Sequence, residues 1–241
     1  MDKDLSGTLP DSDTGIWKEV FKDCLPISTG IIPFGLTCGI LGSTAGFSTF
    51  EITFMSMIVF AGASQFVAIA MISSGITSWS AIVLTTFMVN LRHLLMGASL
   101  SPYLLKLSRP LQYILAFGIV DESYALTVSR IERKGYSSNY QLGVLVFLYV
   151  IWNVSTFLGA FFYRSIPNPL EWGIDFALPA TFLVLLIPRL VDRTALIVCL
   201  VSAACAIWGS VYLPGKWYII LAAVAATIVG GILERGNKDE L

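Results

Sequence analysis

Between Glu51 and Arg92 the chain runs for 40 residues without a charged side chain. A helix needs about 20 apolar residues to cross roughly 30 Å of hydrocarbon, so this run holds two crossings, turned at Ser73–Ser78. Similar gaps recur: 27 residues between Asp23 and Glu51, 29 between Lys134 and Arg164, 22 between Arg193 and Lys216, and 17 between Lys216 and Glu234. Hydrophobic residues make up 56% of the chain and charged residues 13%, against about 25% charged in a soluble domain. Lipid is therefore the solvent for most of the chain, which excludes a soluble enzyme and a disordered chain. The net charge of −1 leaves no basic surplus to neutralise the phosphates of a nucleic acid. No period of two is sustained over segments of about 10 residues, as a β-barrel requires. The fold class is all-α: a polytopic bundle of membrane helices.

Eight spans are predicted, at 25–46, 51–73, 78–100, 111–129, 141–163, 174–191, 194–213 and 217–233. The sixth carries Pro179, Pro188 and Arg189; as a half-helix or re-entrant piece it would leave seven. Eight spans put both termini on one side, with Lys3, Lys18, Lys22, Arg130, Arg133, Lys134, Arg189, Arg193, Arg235 and Lys238. Lys106, Arg109, Arg164 and Lys216 face the other side, so both termini are expected in the cytoplasm. Residues 1–22 are expected to be a disordered cytoplasmic segment, 23–233 a single transmembrane domain and 234–241 a short tail. The acidic start does not resemble a cleavable signal. Lys238-Asp239-Glu240-Leu241 matches a lumenal retrieval signal; on a cytoplasmic tail no receptor would meet it, and we read it as coincidence.

Polar groups inside lipid are costly, about 2.5–3.5 kcal/mol for a charge at the bilayer centre on insertion scales. They therefore mark sites. In the third span Asn90, His93 and Gly97 fall at i, i+3 and i+7, one turn after Thr86, and form a polar, small-residue stripe. Arg92 points about 100° away from it. The unperturbed pKa of His93, near 6.5, suits a proton carrier; a buried histidine bonded to a carbonyl is the plainer role. In the fourth span Asp121 and Glu122 are adjacent. Two anions at this depth repel, and Arg92 is the one Lys or Arg placed mid-membrane by the span assignment. Arg92 is thus predicted to pair with Asp121 or Glu122. The pair can serve transport or can be purely structural.

In the second span Ala61-Gly62-Ala63-Ser64 precedes Gln65 and Phe66. These small residues fit a substrate-facing break whose freed backbone groups bind a polar ligand. They fit equally a tight crossing with Gln65 as interhelical glue. In the first span Pro33 predicts a kink or break, and Gly35 with Gly39 predicts close helix contact. Leu25-Pro26 is echoed by Leu178-Pro179, a faint sign of an internal repeat. In the last span the rows Ala222-Ala226-Gly230 and Ala223-Thr227-Gly231 can pack in the core or dock a partner. Cys24, Cys38, Cys199 and Cys205 lack CxxC spacing and read as small apolar residues. The sequence has one histidine, too few for a His-rich metal site, and no Gly-rich phosphate loop. No cofactor and no metal are expected, and the chain cannot be the ATPase of a pump.

Gly62-Ala63-Ser64-Gln65-Phe66, then Asn90-x-Arg92-His93 with Gly97, then Phe117-Gly118-x-x-Asp121-Glu122, resemble in order and spacing the AzlC family, most closely its YgaZ-like large subunits. The resemblance spans about Asp23 to the last helix and is densest over 23–130. One departure is Asn90, where such members can carry Asp. The resemblance implies an inner-membrane exporter of valine, leucine and isoleucine, with methionine a further candidate. It also implies secondary transport driven by protons, a small AzlD-like partner subunit of about four helices, and no ATPase subunit. An amino acid needs a carboxylate binder, an ammonium binder and an apolar wall. Arg92, or N–H groups near Gly62 and Ser64, suits the first; Gln65, Asn90, Asp121 or Glu122 the second; Phe66 and Phe117 the third. His93 or the remaining carboxylate would carry the proton. The rivals are a channel or a carrier for another small polar solute, a membrane-embedded enzyme built on Ser64 and His93, and a scaffold.

Overall fold

The computed structural model describes residues 13–163, 183, 186–187, 190–213 and 217–238. No strand occurs among them. The chain divides into two compact units, 1–174 and 175–241. The first contains α1 (Asp13–Thr44), α2 (Thr49–Val59), α3 (Gly62–Ser73), α4 (Trp79–Leu104), α5 (Arg109–Phe117), α6 (Asp121–Lys134) and α7 (Ser138–Phe162). The second contains α8 (Arg193–Tyr212) and α9 (Trp217–Lys238). Helix α1 from Gly15 onward, α4, α7 and α8 are each long and apolar enough to cross a membrane.

The predicted spans 51–73 and 111–129 are each split. Helix α2 has 11 residues and rises only about 16 Å, so α2 and α3 together make one crossing length; α5 and α6 do the same. Helix α1 shows the reverse. It runs unbroken through Pro26 and Pro33, so the break expected at Pro33 is absent. Proline removes one helical hydrogen bond there, but the turns on either side are held by packing on α7. Helix α1 also begins at Asp13, so residues 13–22 are helical where disorder was expected. The predicted span 174–191, including Pro179, Pro188 and Arg189, lies almost wholly outside the described residues.

Helix α7 packs against α1, α2, α5 and α6. Its seam with α1 is closest where both helices lack side chains. A Cβ on Gly35 would stand 2.6 Å from that of Ser155. A Cβ on Gly39 would collide with the Thr156 carbonyl, and one on Gly159 with the Leu36 carbonyl. The Gly35/Gly39 pair thus finds its partner surface at Ser155, Thr156 and Gly159. Cys24 and Cys38 are fully buried free thiols, as expected of small apolar residues.

One end of this unit is tied by charge. Glu19 on α1 meets Lys134 at 3.0 Å and Arg130 at 3.6 Å, and Asp23 meets Arg133 at 3.1 Å. The Tyr140 hydroxyl donates to Asp23 at 2.8 Å, and Arg130 lies over the Tyr140 ring. The start of α1 and the end of α6 therefore share one side, consistent with the Lys/Arg pattern. Gly135, at φ 88°, lets the chain turn out of α6 in a conformation that costs glycine little.

In the second unit α8 and α9 pair antiparallel. Gly209 faces Tyr218, Ser202 faces Ala222, and Val198 faces Gly230. The Ala222-Ala226-Gly230 row therefore lies on the side of α8. Nothing in the described structure stands over Gly231 in the second row.

The seam makes a direct prediction. Gly39→Leu should abolish a monodisperse folded protein in detergent, because backbone is what blocks the new side chain. Gly30→Ala, where the space is open, should leave the melting temperature unchanged or raised, by up to about 1 kcal/mol of stability. Size-exclusion profiles and thermal melts distinguish the two; equal tolerance of both would refute the tight seam.

Candidate functional site

The first helix break lies between Val59 and Gly62. Phe60 adopts a left-handed conformation, φ 39° and ψ 46°, which costs a residue bearing a Cβ about 1–2 kcal/mol. It is the one non-glycine residue with positive φ among those described. Ending α2 strands carbonyls, and the Tyr149 hydroxyl donates to that of Met57 at 2.9 Å. Starting α3 leaves the first-turn N–H groups of Gly62, Ala63 and Ser64 without intrahelical partners. Gly62 is needed because the Trp152 ring comes within 2.9 Å of where its Cβ would be. The Trp152 indole N–H donates to Gln65 Oε1 at 3.1 Å, and Gln65 Nε2 donates to Ser56 Oγ at 3.1 Å. Ser56 in turn donates to Thr156. Gln65 is 1% exposed and spends both ends of its amide joining α2, α3 and α7. Ser64 is buried and donates to the Ala61 carbonyl. In this conformation Gln65 acts as glue across a break, which is one of its two expected roles.

The second break, Gly118–Val120, separates α5 from α6. The side chain of Leu145 fills the space a Cβ on Gly118 would need. Ser123 closes the loose backbone: its Oγ accepts the Val120 N–H at 2.9 Å and donates to the Gly118 carbonyl at 2.6 Å. Asp121 and Glu122 consequently open α6, where the helix dipole favours anions.

Arg92 reaches Asp121 from the middle of α4, with Nη1 to Oδ2 at 2.7 Å. The predicted pairing thus falls on Asp121, with Glu122 beside it in the same turn. A second tie joins the same helices, the Tyr124 hydroxyl donating to Ser99 at 3.1 Å. His93 donates its Nδ1–H to the Asn90 carbonyl at 3.1 Å. That bond fixes the tautomer and leaves Nε2 as the nitrogen able to take up a proton. Arg92 Nε and Asn90 Oδ1 are buried and find no hydrogen-bond partner among the described residues. Each such buried, unsatisfied atom calls for a ligand or water, although positions i and i+2 lie on different faces of a helix.

The predicted residues therefore form two groups. Arg92 and Asp121 meet where α4 reaches the second break, with Glu122 next to Asp121 and with Asn90 and His93 within one turn of Arg92 on α4. Gly62, Ser64 and Gln65 sit at the first. An aromatic cluster links the breaks: Phe60 stacks on Phe117 at 6.0 Å and meets Tyr149 edge-on at 5.1 Å, and Phe117 is 6.0 Å from Tyr149. Phe66, expected as part of the apolar wall, is instead 1% exposed and packs edge-on to Phe34. Sequence reading missed Phe60, Ser123, Tyr149 and Trp152. The only signal was Tyr149-x-x-Trp152-Asn153, polar-tipped residues inside an apolar span. The hydrogen bonds of Ser64 and His93 go to Ala61 and Asn90, not to each other. No cluster of metal-ligating side chains occurs among the described residues.

The ion pair is testable by a double-mutant cycle. Arg92→Gln and Asp121→Asn should each lower the melting temperature, and the double variant should recover part of the loss. The coupling energy should be about 0.5–3 kcal/mol. Strictly additive losses would show that the two side chains do not act on each other.

A family model described as AzlC protein matches residues 26–166, which include both breaks and every candidate residue. The inner membrane protein YgaZ of Escherichia coli is 32% identical, over 96% of this chain and 97% of that protein. An uncharacterized membrane protein of Archaeoglobus fulgidus is 33% identical, over 76% of this chain and 80% of its own length. The branched-chain amino acid transport protein AzlC of Bacillus subtilis is 25% identical, over 91% of this chain and 87% of its own. No solved structure matches the chain.

Proposed function

The chain belongs to the AzlC family of membrane proteins, and from that premise we propose that it is the large subunit of a proton-coupled exporter of branched-chain amino acids. It would work in the bacterial inner membrane, with both termini cytoplasmic, beside a small AzlD-like subunit. The printed name of the Bacillus subtilis relative supports the substrate class. The observation that carries the reading is the half-satisfied polar centre at the second break. An amino acid is a zwitterion with an apolar side chain. Arg92 Nε offers a buried donor for its carboxylate, and Asn90 Oδ1 a buried acceptor for its ammonium. Taking up such a ligand would satisfy both atoms without adding net charge to the membrane interior.

Exchange at the Arg92–Asp121 pair gives the carrier its second state. A substrate carboxylate competing for Arg92 would loosen Asp121, and a proton on Asp121, Glu122 or His93 would compensate. Proton uptake would then be linked to substrate movement by shared partners and not by distance alone. A channel through the same centre would need no such exchange, and its flux would not follow a proton gradient.

The test is efflux of labelled valine from vesicles containing the full chain, with and without the small subunit, at several pH values. Asp121→Asn and Glu122→Gln should each flatten the pH dependence, and Arg92→Gln should reduce flux at least tenfold. Unchanged pH profiles in both carboxylate variants would remove the carboxylates from proton coupling. Unchanged flux in Arg92→Gln would remove the proposed binding site.

A further inference from the structure

The ring cluster between the breaks is more than filler. Phe60 lies in the first break and Phe117 is the last residue before the second, and both lean on Tyr149 of α7. We infer that Phe60, Phe117 and Tyr149 form the subsite that measures the apolar side chain of the transported molecule, with Phe117 the residue that sets its size limit; this rests on the transport reading above.

Backbone strain is the first support. A left-handed position ordinarily selects glycine, yet a benzyl side chain is kept at Phe60 and is 5% exposed. Strain held by its surroundings is a mark of functional positions. Rigidity is the second. The Tyr149 hydroxyl is anchored on the Met57 carbonyl, and Phe60 touches both Tyr149 and Phe117. The rings of Phe60 and Tyr149 make a fixed floor. Phe117 differs from them: it is 45% exposed, where Phe60 is 5% exposed. Position is the third. Phe117 ends α5 and Asp121 begins α6, so one break presents an apolar ring and a charge paired with Arg92. Phe117 thus stands in the same break as the carboxylate that Arg92 holds. Aromatic faces offer aliphatic branches contact without asking for hydrogen bonds, and one methylene more or less in such a pocket changes discrimination about 10–200-fold.

The experiment uses the full chain in vesicles, with labelled valine efflux competed by unlabelled alanine, valine, leucine and phenylalanine. Thermal stabilisation of the purified protein by the same four amino acids is a second readout. Phe117→Ala should raise the preference for phenylalanine over valine at least tenfold, and Phe117→Trp should lower that for leucine over alanine. A uniform fall for all four in both variants, with ratios fixed, would overturn the inference and leave the rings as packing. Absence of valine flux in the unmodified protein would overturn the transport reading alone; the subsite then stands or falls on whether the size order of thermal stabilisation moves with residue 117. If no amino acid stabilises the unmodified protein either, both are overturned.

Discussion

A helix that stops inside lipid strands backbone donors and acceptors where no water can reach them, each at a cost of several kcal/mol. This chain breaks two of its apolar segments, between Val59 and Gly62 and between Phe117 and Asp121, and much of its unusual chemistry replaces the backbone partners lost there. Ser123 returns hydrogen bonds to Val120 and Gly118. Tyr149 covers the Met57 carbonyl. Gln65, held by Trp152 and Ser56, splints the two halves of the first broken crossing. Helix α7 supplies Tyr149, Trp152 and Leu145, so one well-packed rod braces both breaks. Its seam with α1, side chain-free at Gly35, Gly39 and Gly159, fixes where that brace stands.

The charges follow the same economy. Arg92 and Asp121 meet at the mouth of the second break, where the dipole of α6 already favours the anion. Glu19, Asp23, Arg130, Arg133 and Lys134 gather at the far end of the same half-helix. Helix α6 is therefore gripped at both ends by ion pairs, one end among polar residues of α4 and the other beside the start of α1.

Much of this was legible in the sequence. Uncharged gaps placed the membrane-length helices because a charge in lipid is too costly to scatter at random. Gly35 and Gly39 announced a close seam. The pairing of Arg92 with a carboxylate followed from there being no other cation at that depth. The second break was not legible, because what opens it is tertiary: Leu145 pressed against Gly118, and Ser123 reaching back. Pro33 does not break its helix, since packing on α7 outweighs one lost hydrogen bond. Phe60 gave no local hint of a left-handed backbone. Tyr149 and Trp152 looked like ordinary members of an apolar span until their partners were known. Glu19 fell in a segment expected to be disordered and Asp23 at its edge, and both prove to be helix-pairing anions.

The central claim is that the polar centre between α4 and the second break receives a zwitterion. Its most direct measurement is a structure of the lipid-embedded protein bound to valine. The account predicts the carboxylate of valine on Arg92, its ammonium beside Asn90, its side chain against Phe117, and the contact between Arg92 and Asp121 lengthened. Valine seated away from both helix breaks, with that contact intact, would contradict it.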